Sequence, residues 1–186
     1  MASPGLVVLD RDGVINRDRT DFVRSPEQWV PLPGSLEAIA LLTRAGYTVA
    51  VASNQSGLGR GLFDRETLEA IHRKMLGAVA AAGGRIETIA VCPHLPGEGC
   101  TCRKPESGLL RTVAAELGLS LQGAPCIGDS ERDILAARSA GCRPILVLTG
   151  NGMTARTALG ENAGVEVFAD LHAAARALER ETQSSC

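Results

Sequence analysis

Leu6-Val7-Val8-Leu9-Asp10-Arg11-Asp12-Gly13-Val14-Ile15-Asn16 is the stretch that decides the fold. The apolar run Leu6 to Leu9 suits a strand covered on both faces. It stops on a carboxylate, and a second Asp follows one residue later. In an extended backbone, residues i and i+2 point to the same side. Asp10 and Asp12 are therefore expected to meet at one point. Carboxylates that close repel each other unless a cation lies between them or one holds a proton. Taken alone, the stretch reads equally well as a strand end with a solvated Asp-Gly turn. The segments further on weigh between the two.

The 186 residues suit one domain spanning 1–186. The chain is 45% hydrophobic but only 3% aromatic, so its core must come from Ala, Leu, Val and Ile. A net charge of −2 gives no general attraction to nucleic acid or to an anionic membrane. No apolar run approaches the roughly 20 residues of a membrane helix. The N-terminus has no basic segment followed by an apolar one, so no signal peptide is expected. These features point to a cytoplasmic protein, expected to be a monomer. Six cysteines in a reducing compartment argue for metal or free thiols over disulfides.

Strand and helix patterns alternate along the chain. A polar loop over 17–33 holds the only tryptophan, Trp29, and a helix follows Gly34-Ser35 and closes at Gly46. A strand over 47–52 leads into a loop of small and polar residues over 53–61. Asp64 caps a long helix to residue 82. A strand over 86–91, a cysteine-rich loop over 92–104 and a Ser107-capped helix come next. Strands over 125–127, 144–148 and 165–168 follow, with helices after the first two and an Asp170-capped helix after the last. Residues 179–186 read as a frayed, flexible tail. Such alternation predicts an α/β fold: a three-layer Rossmann-like sandwich with a mostly parallel central sheet. Ligands then bind at the carboxyl ends of strands, where strand order reverses. Asp10/Asp12, Ser53/Asn54, the cysteine loop and Asp129 each follow a predicted strand, so they are expected to form one site.

Three acidic groups at one strand edge, Asp10, Asp12 and Asp129, need a counter-charge. Mg²⁺ suits a few carboxylates with waters and substrate phosphate. Asp129 and Asp133 also suit the start of a helix, where negative charge is stabilised. Ser53 and Asn54 offer a hydroxyl, an amide and backbone N–H groups for phosphate oxygens, though a generic turn offers the same. Lys104 is a fixed cation, or a solvated surface charge. Combined, the parts describe phosphoryl transfer by positioning and charge neutralisation. Asp10 attacks phosphorus, and Asp12 protonates the leaving oxygen and then takes a proton from water. For that, Asp12 must be protonated when substrate binds.

Cys92, His94, Cys100 and Cys102 place four soft or borderline ligands in eleven residues. Three thiolates and an imidazole complete a closed tetrahedral Zn²⁺ site, which is structural rather than catalytic. The competing reading is free thiols beside a packed histidine. Cys126 and Cys142 lie near strands and read as core; Cys186 reads as a tail thiol. His72 and His172 read as surface residues on helices.

Asp10-x-Asp12-Gly13-Val14, Ser53-Asn54, Lys104 and Gly128-Asp129-x-x-x-Asp133 resemble, in order, the four motifs of the haloacid dehalogenase superfamily phosphatases. The resemblance covers roughly residues 6–150. Asp10-Arg11-Asp12-Gly13, Ser53-Asn54-Gln55-Ser56-Gly57, Cys92-Pro93-His94 and Cys102-Arg103-Lys104-Pro105 are similar to one branch of it. That branch holds the D-glycero-D-manno-heptose 1,7-bisphosphate 7-phosphatases and the histidinol-phosphate phosphatases. Neither gap between these motifs is expected to hold a separate cap domain. The resemblance implies Asp10 as nucleophile, Asp12 as acid and base, and Ser53 and Lys104 beside the phosphate. Mg²⁺ on Asp10, Asp12 and Asp129 and structural Zn²⁺ on Cys92, His94, Cys100 and Cys102 follow from it too. Asn54, Gln55, Ser56, Arg60 and Arg103 would line a small phosphorylated sugar. The activity it implies is removal of the 7-phosphate in heptose activation for lipopolysaccharide core. Histidinol phosphate and a catalytically silent zinc-stabilised binding module are the alternatives. Ser130 stands where some members carry a lysine. Arg19, Arg60 or Arg103 could hold a second phosphate.

Overall fold

The apolar run at the head of the chain lies at the centre of the sheet. The computed structural model describes residues 5–160 and 164–184, and every residue of β1 (Leu6–Leu9) is buried in it. β1 pairs in parallel with β2 (Thr48–Asn54) on one side and β4 (Pro125–Gly128) on the other. β3 (Thr88–Cys92) adds beyond β2. β5 (Arg143–Val147) and β6 (Glu166–Phe168) add beyond β4. The order is β3-β2-β1-β4-β5-β6, all parallel. The chain builds outward from β1 in one direction, then returns and builds in the other. The reversal falls between β1 and β4, and a crevice opens there at the strands' carboxyl ends.

Alternate residues of β1 feed two cores, as the pleat requires. Val7 and Leu9 pack with Ile39 of α1 (Ser35–Arg44), Ile71 of α3 (Arg65–Ala81) and Leu171 of α7 (Leu171–Ser184). Leu6 and Val8 pack on the other face with Leu110 of α4 (Gly108–Leu117) and Ala136 of α5 (Glu131–Ser139). α6 (Gly152–Leu159) adds Ala155 to a smaller cluster with Ile134 and Leu146. The architecture is the expected three-layer α/β sandwich, and no domain is inserted among the described residues. Cys126 and Cys142 are core residues, as expected. Trp29 is buried; its Nε1 donates to Asn16 Oδ1 at 3.0 Å, and Lys74 stands 5.9 Å from its ring centre. This anchors the 17–33 loop beside the end of β1. No helix among the described residues is long and apolar enough to cross a membrane.

Asp64 and Asp170 cap their helices, each accepting a backbone N–H at 2.8 Å. Ser107 precedes α4 without a side-chain cap bond; its Oγ accepts from Arg111 Nε instead. β2 runs two residues past its expected end, so Ser53 and Asn54 belong to the strand. The loop after it contains a short helix, α2 (Ser56–Gly59). The chain does not fray at Glu179: α7 continues to Ser184. Leu178 is buried on its inner face, and Arg143 pairs with both Glu181 and Glu166 at 2.5–2.7 Å. Cys186 lies outside the described residues.

Leu178→Ala should therefore cost about 2–5 kcal/mol in urea unfolding, whereas Leu76→Ala on the outer side of α3 should cost under about 1 kcal/mol. Equal, small effects at both positions would show that the last helix does not contribute to the core.

Candidate active site

β1 and β4 end side by side, and each delivers an aspartate. The Asp10 N–H donates to Ile127 O at 2.9 Å, so the two strand ends are hydrogen-bonded up to the site. Carboxylate oxygens of Asp10, Asp129 and Asp133 lie within 4.8 Å of one another. Lys104 enters between them from the far end of the cysteine loop. Its Nζ reaches Asp10 Oδ1 at 2.8 Å, Asp133 Oδ1 at 2.5 Å and Ala52 O at 2.8 Å. Lys104 is only 4% exposed. Burial alone would lower its pKa, but the charges of Asp10 and Asp133 outweigh burial and raise it. Burial pushes Asp10 up to about 8, with Lys104 opposing and Asp133 and Asp129 adding. Burial likewise pushes Asp129 up to about 6, although the Asn151 N–H lowers it.

With all three aspartates ionised, one ammonium leaves two negative charges uncompensated, and the raised Asp10 and Asp129 pKa values reflect burial together with that crowding. A donor set of carboxylate oxygens with that deficit fits a hard divalent cation. Two glycines close around Asp129. A Cβ on Gly13 would fall 2.0 Å from Asp129 Oδ2, and one on Gly150 would fall 2.1 Å from the same atom. Asn151 donates to that oxygen through its backbone N at 2.8 Å.

Asp12 does not join this group, contrary to the alternation expected of an extended chain. β1 stops at Leu9, and the backbone bends at Arg11, whose carbonyl accepts the N–H groups of Val14, Ile15 and Asn16. The Asp12 carboxylate is held by Arg11, Asn16 and Gln55. Burial would raise it, but the Arg11 charge and these hydrogen bonds together hold it below the usual carboxylate range. The like-charge pair expected at Asp10 and Asp12 is replaced by Asp10 with Asp129 and Asp133. The Asp12 carboxylate thus lies outside the group formed by Asp10, Asp129 and Asp133.

The other residues singled out from sequence fall around one cavity of ≈ 300 Å³. Ser53 is buried at its wall. Asn54 is committed to the chain: its Nδ2 donates to Lys104 O and its Oδ1 accepts from Lys104 N, both at 3.1 Å. Gln55 is committed as well, donating to Asp12 and Ser53 and accepting from Arg11. Ser56, Arg60 and Arg103 line the cavity, and Arg103 donates to His94 O at 3.1 Å. Arg19 also lines it but is paired with Asp21. Ser130 Oγ donates to Asp133 at 2.6 Å at the start of α5. Sequence reasoning missed Arg132, which lines the same cavity, because one exposed Arg on a helix has no local signature. It also missed Asp18 and Asn151, bonded to each other at 2.9 Å across the cavity mouth. Burial, then the charges of Arg132 and Arg60, lower the Arg103 pKa, so three guanidinium groups converge here.

The Cys92, His94, Cys100 and Cys102 donor atoms lie within 4.8 Å of one another. Their closest pairs are 3.0–3.8 Å apart. A tetrahedron with metal–sulfur arms of about 2.3 Å has edges of about 3.8 Å. The donor chemistry and the spacing fit zinc. His72 departs from the surface expectation: its Nε2 lies 3.5 Å from Arg11, and burial pushes its pKa down to about 4.

A family model described as HAD-hydrolase-like matches residues 101–174. The D-glycero-beta-D-manno-heptose-1,7-bisphosphate 7-phosphatase of Bordetella bronchiseptica is 52% identical over 176 residues, 95% of this chain and 98% of that protein. The protein of the same name from Pseudomonas aeruginosa is 48% identical over 177 residues, 95% of this chain and 98% of that protein. The crystal structure of D,D-heptose 1,7-bisphosphate phosphatase from B. bronchiseptica, complexed with magnesium and phosphate, superposes with a TM-score of 0.90. It is 52% identical, covering 95% of this chain and 99% of that one.

Proposed function

The chain belongs to the haloacid dehalogenase-like phosphatases, in the branch of the D-glycero-D-manno-heptose 1,7-bisphosphate 7-phosphatases, and from that membership we propose that it removes the 7-phosphate of D-glycero-D-manno-heptose 1,7-bisphosphate. The observation that carries the reading is Asp10 at the sheet's reversal point, held by Lys104 and flanked by Asp129 and Asp133. Asp10 and Asp129, with Asp133 in reach, would hold Mg²⁺. When bound, that ion offsets the charge of the carboxylates and of the substrate phosphate.

In this reading an Asp10 oxygen attacks phosphorus, the bond to the sugar oxygen breaks, and an aspartyl phosphate forms. Asp12 gives its proton to the departing oxygen and later takes one from the water that hydrolyses the intermediate. Held by donors from Arg11, Asn16 and Gln55, Asp12 favours the carboxylate. That is the form the second half-reaction needs, and the first half-reaction requires a proton carried in with the substrate phosphate. Lys104 neutralises charge at the phosphoryl oxygens, and Ser53 offers them a hydroxyl. Asn54 acts by fixing the Lys104 backbone. Arg60, Arg103 and Arg132 supply the cavity mouth with positive charge suited to a second phosphate. Histidinol phosphate carries a cationic amine there instead, which the same guanidinium groups repel. Zinc on Cys92, His94, Cys100 and Cys102 would stiffen the loop that delivers Arg103 and Lys104.

Three outcomes test this. Asp10→Asn should lower kcat on the heptose bisphosphate by about a thousandfold or more, and a rate near wild type would end the proposal. Arg103→Ala and Arg132→Ala should each raise KM for the bisphosphate about tenfold or more while leaving KM for a sugar monophosphate near its wild-type value; an unchanged bisphosphate KM would remove both from substrate binding. Elemental analysis of the purified chain should find one zinc per molecule. The Cys100→Ser/Cys102→Ser variant should lose that zinc and melt at lower temperature, whereas a zinc-free wild-type chain of full stability would refute the site.

A further inference from the structure

Arg11 is the only arginine among the described residues that is almost fully buried, at 1% exposure. Removing a guanidinium from water costs several kcal/mol unless its donors are satisfied. Its single carboxylate partner is Asp12: Nη2 donates to both Asp12 oxygens at 3.0 Å and Nε to Oδ1 at 3.2 Å. Gln55 arrives from the end of β2 and closes the arrangement. Its Nε2 donates to Asp12 Oδ2 at 2.7 Å, while its Oε1 accepts from Arg11 Nη2 at 3.1 Å. Arg11, Asp12 and Gln55 thus form a ring of mutual hydrogen bonds. Asn16 Nδ2 supplies a further donor to Asp12 Oδ1 at 2.8 Å. His72 of α3 lies 3.5 Å from Arg11 Nη1.

Both Asp12 oxygens are therefore covered by donors, yet its side chain keeps 22% exposure and lines the cavity. Such a carboxylate has one orientation open to it and one face open to a ligand. An isolated Asp on a bend would sample several rotamers instead. The Gln55 amide is consumed in the same ring, with its second N–H donated to Ser53 Oγ at 2.8 Å, so it has no donor left for substrate.

We propose that Arg11 and Gln55 are positioning residues, a buried brace that fixes the Asp12 carboxylate towards the cavity for both proton transfers. This rests on the reading of Asp12 as acid and base given above. A misoriented Asp12 delivers its proton late, so the penalty grows with the basicity of the departing oxygen. Nitrophenolate leaves without needing a proton; a sugar alkoxide does not.

The test measures kcat/KM for a series of aryl and alkyl monophosphates, with wild type, Arg11→Met, Arg11→Lys and Gln55→Leu. Each variant is checked for wild-type circular dichroism. The slope of log(kcat/KM) against leaving-group pKa should steepen in all three variants. The rate ratio of p-nitrophenyl phosphate to an alkyl phosphate should rise about tenfold or more. Arg11→Lys should not restore the wild-type slope, because an ammonium lacks the parallel donors of the fork. Should Arg11→Met fail to fold, Gln55→Leu and Arg11→Lys carry the comparison. A uniform loss across all leaving groups, with the slope unchanged, would reduce the brace to a structural element and overturn the proposal. A wild-type chain that turns over no phosphate ester would instead overturn the phosphatase reading itself, so the two failures are separable.

Discussion

A buried ammonium amid three carboxylates is the constraint to which the rest of the molecule answers. Lys104 can be kept out of water only because Asp10, Asp133 and the Ala52 carbonyl take its donors. Those partners come from the ends of β1, β2 and the start of α5, so the ion cluster joins the strands on either side of the reversal point. The demand also runs outward. Lys104 reaches the cluster only if the loop after β3 returns across the sheet, and the reciprocal bonds from Asn54 to its backbone hold it there. The cysteine and histidine donors sit in that loop, a few residues ahead of Lys104. Zinc bound there, as proposed, would fix in space a residue whose whole effect depends on where its charge stands.

Close packing around Asp129 follows the same logic. The turn after β1 and the turn after β5 both approach this carboxylate with glycine. At Gly13 (φ +82°) and Gly150 (φ +57°) any side chain would meet both an unfavourable backbone conformation and the Asp129 oxygen itself. The Asn151 N–H and amide then occupy the edge of Asp129. One carboxylate is thus gripped by backbone from two loops, leaving little freedom beyond its contact with the cation site. Asp10 differs, with Lys104 as its cationic partner, which suits the nucleophile role proposed for it.

What the sequence reveals depends on whether a contact is local. The strand Leu6–Leu9, the Asp64 and Asp170 caps and the clustering of the Cys92, His94, Cys100 and Cys102 donors all have signals within a few residues, and each is where those signals put it. Misreadings arise where long-range partners override a local rule. Alternation along a strand would bring Asp12 to Asp10, but the strand has ended, and Gln55, 43 residues away, claims the carboxylate. Composition marks 179–186 as tail, but Arg143, 38 residues before Glu181, pairs with that glutamate and α7 continues. His72 looks like a surface residue of an amphipathic helix until Arg11, 61 residues away, is placed beside it. Arg132 has no local mark at all and becomes notable only through the cavity it lines.

The cations around the site divide into two kinds, and the division bears on substrate choice. Lys104 and Arg11 are buried and paired with carboxylates, so their charge is consumed in shaping the site. Arg60 and Arg132 are exposed and form no ion pair among the described residues, while Arg103 makes only a carbonyl contact. Three guanidinium groups around one opening repel one another: burial first, and then the charges of Arg132 and Arg60, lower the Arg103 pKa. A fold that needed only stability would gain by replacing any of them. The strain is relieved when an anion enters the opening, and the relief is largest for a ligand with a charge at each end. In the proposed function a bisphosphate would meet that condition, with one phosphate towards Lys104 and Asp10 and the other at the mouth. A monophosphate leaves the repulsion in place. In that reading, selectivity between them would come from charge the protein leaves unpaired rather than from a pocket shaped to the sugar.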